Sequence, residues 1–215
     1  MEARTTAERR VLVVYATKYG STAKVAEIIA EELRAAGCQA ETRAVAGGRA
    51  AAAASTAGLD AVVVGGPMIL GWHRGALAFV KARRGELAAV PVAYFITAAS
   101  LTDDGADDVD GVPIHKDTWL AKKPARRDKL SYRERYALPS HYLGGILKRT
   151  KPVRPRRVAF FAGAVDLTKM NLLEKLFVML IIGARPGDAR HWDAVREWAR
   201  GLPVALFGDE SSLPG

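Results

Sequence analysis

The stretch that decides the fold is YATKYGSTAKVAEII, residues 15–29. It overlaps the end of an apolar, β-branched run at residues 11–16, and small and hydroxylated residues then lead into a helical pattern. Between residues 22 and 36 apolar side chains recur at helical spacing, and Gly37 suits the end of a helix. The stretch therefore predicts a strand, a short polar loop and a helix in direct succession.

Apolar strand patterns and helical patterns alternate along the rest of the chain. The further predicted strands are residues 39–45, 59–65, 91–97 and 158–163, and the further predicted helices are residues 76–84 and 188–200. Continuous apolar strands separated by helices are typical of a parallel sheet with helices on both faces. The sequence thus predicts one doubly wound α/β domain at residues 11–203, between an N-terminal tail (1–10) and a C-terminal tail (204–215).

Two segments exceed what such a domain needs. About residues 101–156 form an insertion between predicted strands four and five, which is too long for a bare connection. Within it, residues 131–148 predict a crossover helix that Pro139 and Gly144-Gly145 interrupt. Residues 167–183 predict a very apolar helix, for which packing against the sheet or a subunit of a homo-oligomer is favoured over contact with a membrane surface.

Charge and cysteine content limit the classes of function. The chain has 215 residues with 32 basic and 23 acidic side chains, a net charge of +9. This charge is explained equally well by a solvated basic face and by attraction to an anionic lipid or an acidic partner. No zinc finger or other nucleic-acid motif accompanies it, so nucleic acid is not an expected partner. The single cysteine, Cys38, excludes an internal disulfide and a thiolate metal cluster, and no metal site is predicted.

No stretch of the sequence has the length and polarity of a signal peptide or a membrane span. We therefore expect a cytoplasmic protein. The apolar helix and the basic charge leave peripheral contact with the inner face of the membrane as an extension of that expectation.

The loop after the first strand is the first candidate binding site. It consists of Thr17, Lys18, Tyr19, Gly20, Ser21 and Thr22. Ligands of parallel sheets lie beyond the carboxyl ends of the strands, and free N–H groups at a helix start favour an anion. Hydroxyl groups around a glycine suit a terminal phosphate. The Walker A and dinucleotide-binding glycine patterns are both absent.

The sequence VVYATKYGSTAKVAEIIAEEL, residues 13–33, resembles the phosphate loop and first helix of flavodoxins, which bind FMN. The resemblance implies a flavodoxin-like, five-stranded parallel sheet of order 2-1-3-4-5. The usual pattern is Thr-x-Thr/Ser-Gly-x-Thr, and Tyr19 here replaces one hydroxyl residue.

Two later loops extend the resemblance. The second loop is similar to the one that passes along the flavin ring and contains Pro67, Met68, Ile69, Leu70, Gly71, Trp72 and His73. Trp72 is expected to stack on the ring or shield it, with packing beneath the loop as the alternative. The third loop, placed by the family at the pyrimidine edge of the flavin, contains Thr97, Ala98, Ala99 and Ser100.

The blocks GPMILGWHRGALAFV (66–80) and VAFFAGAVDLTKMNLLEKLFVMLIIGARPGD (158–188) are similar to the menaquinone-dependent protoporphyrinogen oxidases of haem biosynthesis. This resemblance implies an FMN-dependent oxidoreductase that passes electrons from a reduced substrate, such as protoporphyrinogen IX, to a quinone. His73 is then a candidate catalytic residue, with a helix-start role as its alternative. Propionate groups would be met by basic residues of the insertion, namely Lys122, Lys123, Arg126 and Arg127.

Two other functions remain open at this point. One is a flavodoxin-type electron carrier without its own small-molecule substrate, against which the net charge of +9 argues, since such carriers present acidic faces. The other is a regulatory module that has lost FMN, a reading that Tyr19 leaves open.

Overall fold

The computed structural model describes residues 9–17, 20–46, 55–69, 71–126, 128–165, 187–188 and 190–208. Its first elements are the predicted strand and helix, β1 Arg10–Tyr15 and α1 Ser21–Ala35. The apolar residues at helical spacing in α1, Val25, Ile28, Ile29 and Leu33, are all buried. Burial of this stripe against the sheet is what fixes the helix beside β1.

Four further strands complete the predicted sheet: β2 Gln39–Ala44, β3 Ala61–Pro67, β4 Val92–Ala98 and β9 Arg157–Ala162. They pair in parallel in the spatial order β2-β1-β3-β4-β9. Since β9 is the fifth predicted strand, the predicted order 2-1-3-4-5 is confirmed.

The insertion adds strands of its own, β5 Leu101–Thr102, β6 Asp108–Val109, β7 Val112–Lys116 and β8 Ala121–Lys122. Strand β7 pairs in parallel with β9, and β6 pairs antiparallel with β7, which extends the main sheet to seven strands. Strand β5 pairs with β8 in a small separate sheet. A further short antiparallel pair joins β10 Ala164–Val165 to β11 Gly187–Asp188. The insertion is therefore built around the carboxyl end of β4 and the open side of β9.

Helices cover both faces of the sheet. They are α2 Arg74–Ala82, α3 Arg84–Leu87, α4 Tyr132–Tyr136, α5 Pro139–Thr150, α6 Trp192–Arg200 and α7 Leu202–Phe207. One core joins α2 and α5 to the sheet. The other joins α1, α6 and α7 to the opposite face.

The predicted crossover helix differs from the structure in how its proline and glycines act. Pro139 begins α5, where its fixed φ and missing N–H cost nothing. Gly144 and Gly145 lie inside α5 and do not end it. The crossover is thus split at residues 137–138 into two helices.

The last long helix, α6, begins at Trp192, later than the sequence predicts, and residues 187–188 form β11. Helix α7 continues to Phe207 and buries Leu206 completely. The predicted apolar helix 167–183 lies outside the described residues. Among the helices of the described ranges, none is long and apolar enough to cross a membrane.

Candidate functional site

Three polypeptide loops meet at the carboxyl edge of β1, β3 and β4, which are neighbours in the sheet. The hydroxyl oxygens of Thr22 and Thr97 lie 3.3 Å apart in a buried contact, which joins the first loop to the third. The Met68 N–H donates to the Thr97 carbonyl at 2.8 Å, which joins the second loop to the third. The structure therefore brings the three predicted loops into one site.

The first loop leads directly into the start of α1. Gly20 precedes α1 with φ 86°, and its N–H donates to the Thr17 hydroxyl oxygen at 2.9 Å. Among the described residues, no side chain caps α1 and its first turn contains no acidic residue. Within the described part of the chain, a Cβ built on Gly20 would meet nothing within 4 Å. A helix start without a capping side chain favours a bound anion, and the phosphate of FMN is such a group. Lys18 and Tyr19 lie outside the described residues.

Arg190 adds a cation that sequence reasoning missed. Its Nη1 atom donates to the Ser21 carbonyl at 3.4 Å, and its guanidinium lies 4.5 Å from the centre of the Trp192 ring. The stacking holds the guanidinium beside the helix start. A separation of 169 positions between Arg190 and Ser21 gives no sequence signal for this contact.

The second loop is a tight turn after β3. Met68 and Trp72 form an isolated antiparallel bridge, and the Ile69 N–H donates to the Gly71 carbonyl at 3.2 Å. Gly71 has φ 112°, a conformation that favours glycine. Pro67, Ile69 and Gly71 are half-buried, and Leu70 lies outside the described residues. Parts of Pro67, Ile69 and Gly71 are therefore exposed at the carboxyl end of β3.

The Trp72 indole lies in the core. It is 6% exposed and contacts the Tyr94 ring at a centroid distance of 5.1 Å. Of the two sequence-based expectations for Trp72, this geometry matches packing beneath the loop. Its stacking on the flavin ring stays a prediction.

His73 stands at the start of α2. Its Nδ1 atom accepts a hydrogen bond from the Gly75 N–H at 3.1 Å, so the side chain caps the helix. This role accounts for a histidine at that position. The catalytic role of His73 stays a prediction.

The third loop is short and mostly buried. Thr97 and Ala98 belong to β4 and are each 3% exposed, whereas Ala99 and Ser100 are half-buried. The Gly163 N–H donates to the Ala98 carbonyl at 2.9 Å, which ties the loop to the end of β9. Only Ala99 and Ser100 present side chains near the surface.

The insertion packs against the second loop. The Tyr136 hydroxyl donates to the Ile69 carbonyl at 3.2 Å. A cavity of about 290 Å³ lies between this loop and helices α4 and α5, and its lining includes Met68, Trp72, Tyr136, His141, Tyr142 and Arg149.

The tyrosines of this cavity stay neutral at physiological pH. Burial raises the pKa of Tyr142 to about 12, against the opposing effect of a hydrogen bond with Ser100. Burial likewise raises the pKa of Tyr136. Both phenols therefore act as neutral hydrogen-bonding groups.

A second polar cluster lies at the carboxyl ends of β7 and β9, and sequence reasoning did not identify it. The fully buried Asp117 accepts hydrogen bonds from the Trp119 N–H at 2.9 Å and the Ala162 N–H at 3.0 Å. Its Oδ1 atom lies 2.9 Å from His191 Nδ1. The Trp119 ring stacks on the His191 ring at 4.2 Å. The cluster joins the insertion to the start of α6.

The basic residues proposed for propionate binding lie elsewhere on the insertion. Lys122 and Lys123 are exposed, and Arg126 pairs with Asp128 at 2.9 Å. None of these three lines the cavity. Arg127 lies outside the described residues.

The chain matches one family model and is similar to several solved structures. A family model described as a flavodoxin domain matches residues 12–190. No curated protein matches the chain. A point mutant of the flavodoxin from Pseudomonas aeruginosa is similar in structure at 16% identity over 92% of this chain and 98% of that one, with a TM-score of 0.44.

Two other solved structures show similar likeness. Two-electron reduced flavodoxin from Megasphaera elsdenii is 15% identical over 70% of this chain and 84% of its own, with a TM-score of 0.39. The rubredoxin oxygen:oxidoreductase of Desulfovibrio gigas is 14% identical over 93% of this chain, with a TM-score of 0.42. The chain spans 38% of the length of that enzyme.

Proposed function

Because the chain belongs to the flavodoxin domain family, we propose that it is an FMN-dependent oxidoreductase that passes electrons from a reduced organic substrate to a quinone. The observation that carries the proposal is the first loop, with its left-handed Gly20 and a helix start that no described side chain caps. Members of this family use FMN, and the loop fits the phosphate of that cofactor.

When bound, FMN supplies the two-electron chemistry. The overall reaction balances because the organic substrate loses two electrons and two protons, and the quinone takes up two of each to become a hydroquinone. The chain itself binds and orients. The start of α1 and Gly20 hold the phosphate, and the Arg190 guanidinium adds positive charge beside Ser21.

The second and third loops border the flavin ring in this proposal. Their relative position is set by the hydrogen bond between Met68 and Thr97, and the second loop is held from the other side by Tyr136. A loop fixed on both sides keeps the ring in one orientation toward a substrate. A simple electron carrier does not need such an insertion. Its presence therefore favours an enzyme with a substrate of its own.

Protoporphyrinogen is the reduced substrate that the sequence resemblance implies, and it stays a prediction. The cavity volume of about 290 Å³ lies at the lower end of the range for small-molecule sites. Such a cavity encloses one or two fused rings, so a tetrapyrrole would have to bind largely outside it.

The test is the reduction of a quinone by the reduced, FMN-loaded protein. The flavin is reduced photochemically without oxygen, the protein is mixed with menadione, and oxidation of the flavin is followed by absorbance. An enzyme with a quinone site gives a rate that saturates with menadione. A rate that rises linearly without saturation, with FMN still bound, contradicts the proposed site and favours an electron carrier.

A further inference from the structure

We propose that the cavity between the second loop and α5 binds a planar organic anion of one or two fused aromatic rings. Its role as a substrate site rests on the proposed function, whereas the binding itself does not. The lining combines aromatic walls, an arginine at the rim and a helix glycine that leaves room, and together these features suit a flat anion.

The walls of the cavity suit a flat molecule. Trp72 and Tyr142 are 6% and 5% exposed and are held by the core behind them. The Tyr136 ring stands edge-on to Tyr142, with centroids 5.8 Å apart, and contacts the His141 ring at 5.0 Å. Rigid aromatic walls of this kind bind flat apolar rings with little loss of side-chain entropy.

The rim of the cavity carries one guanidinium, that of Arg149. Arg149 and His141 line the cavity and are exposed, and no Asp or Glu is among the described residues that line it. Among the described residues that line the cavity, no carboxylate accompanies the Arg149 guanidinium. A guanidinium at the edge of an apolar pocket favours a carboxylate or sulfonate on the ligand, because it can bind two oxygens at once.

Gly145 leaves space that the packing of the protein does not require. It lies inside α5 and lines the cavity, and a Cβ built on it would meet nothing within 4 Å. Glycine in a helix interior is less stable than alanine, so neither local stability nor a steric clash accounts for it. Its effect is to widen the cavity.

The position of the cavity connects it to the flavin site. Met68, Gly71 and Trp72 belong to the second loop and also line the cavity. A bound ring therefore touches the same loop that borders the flavin in the proposed function. This shared loop makes the cavity the place for an organic substrate.

Binding is tested with 2-naphthoate, which is aromatic, anionic and inert to the flavin, by isothermal titration of the FMN-loaded full chain. We expect saturable binding of one equivalent. Gly145→Met fills the cavity and is expected to lower the affinity at least tenfold. Gly144→Met is the matched control, because Gly144 lies in the same helix, has the same open space and does not line the cavity.

The charge is tested separately. Because the rim is open to solvent, Arg149→Gln is expected to lower the affinity for 2-naphthoate about fivefold. The affinity for neutral 2-naphthol, which has no carboxylate, is expected to stay unchanged. Lys148→Gln, at an exposed neighbouring position outside the cavity, is expected to change neither.

Each outcome is decisive. Absence of saturable binding with FMN retained, or equal affinity in wild type and Gly145→Met, overturns the cavity proposal and leaves the proposed function standing. Loss of FMN from the wild-type protein is the separate failure of the proposed function, and absorbance near 450 nm distinguishes the two.

Discussion

The Tyr136 hydroxyl donates a hydrogen bond to the Ile69 carbonyl across 3.2 Å, although 67 positions separate the two residues. Tyr136 ends a short helix of the insertion, and Ile69 is in the turn after β3. This contact makes the insertion part of the site, because it fixes the loop that the cavity and the flavin share.

Replacing this hydroxyl is expected to loosen the second loop. Tyr136→Phe removes one hydrogen bond to a half-buried carbonyl, a loss of about 1 kcal/mol. We expect FMN to bind about two- to fivefold more weakly, as measured by quenching of flavin fluorescence. Tyr132→Phe is the control, because Tyr132 lies on the same helix and is 66% exposed. Equal losses in both variants would contradict a specific role for Tyr136.

The Thr17 hydroxyl is expected to matter for the phosphate and not for the ring. Thr17→Val removes the acceptor of the Gly20 N–H and loosens the loop that faces the phosphate. We expect FMN affinity to fall about tenfold, with riboflavin affinity unchanged. Thr118→Val, at an exposed position in the insertion, serves as the control. A parallel loss for both flavins would show that Thr17 acts on the whole fold.

Asp117 is expected to be the most costly polar residue to remove from the insertion. Asp117→Leu leaves the Trp119 and Ala162 N–H groups without their acceptor in a buried place. The expected loss in the free energy of unfolding is about 3 kcal/mol, measured by urea denaturation. Asp107→Leu, at an exposed position, is the comparison, and a similar loss there would refute the assigned role.

The link between α1 and α6 predicts a dependence of stability on pH. Burial acts to raise the pKa of Glu32, but hydrogen bonds from Arg196 and Arg200 outweigh it and lower that pKa below its usual value. A carboxyl group with a lowered folded-state pKa stabilises the fold above its unfolded pKa. This stabilisation is lost as pH falls through the folded-state pKa.

Glu32→Gln is therefore expected to lower the free energy of unfolding by about 0.5–1 kcal/mol at pH 7, because the pairs are open to solvent. The difference from wild type should shrink toward zero as the pH falls below the usual glutamate range. Urea denaturation at several pH values measures it, with the exposed Glu41→Gln as control. A difference that is the same at acid and neutral pH would contradict the ion-pair origin.

Most of the sheet could be predicted from local patterns. The strands β1, β3, β4 and β9 are continuous apolar runs buried on both sides. Such runs can be identified from the sequence alone. The glycine and hydroxyl residues after β1 located the first loop for the same reason. In each case one short segment carries the whole signal.

Contacts between distant segments could not be predicted in this way. Arg190 reaches Ser21 and His191 reaches Asp117 only because the fold brings the start of α6 to the sheet edge. The cavity likewise depends on how α5 lies against the second loop. The sequence predicts that Pro139 interrupts a helix, because proline inside a helix does so, whereas in the structure Pro139 begins one.

The most direct test of the central claim is the titration of FMN and of riboflavin into the flavin-free protein, followed by flavin fluorescence. The two ligands differ only in the phosphate that the first loop and the start of α1 are inferred to hold. We expect FMN to bind about a hundredfold more tightly than riboflavin, from charge-assisted hydrogen bonds to that group. Equal affinities, or no binding of FMN, would contradict the account.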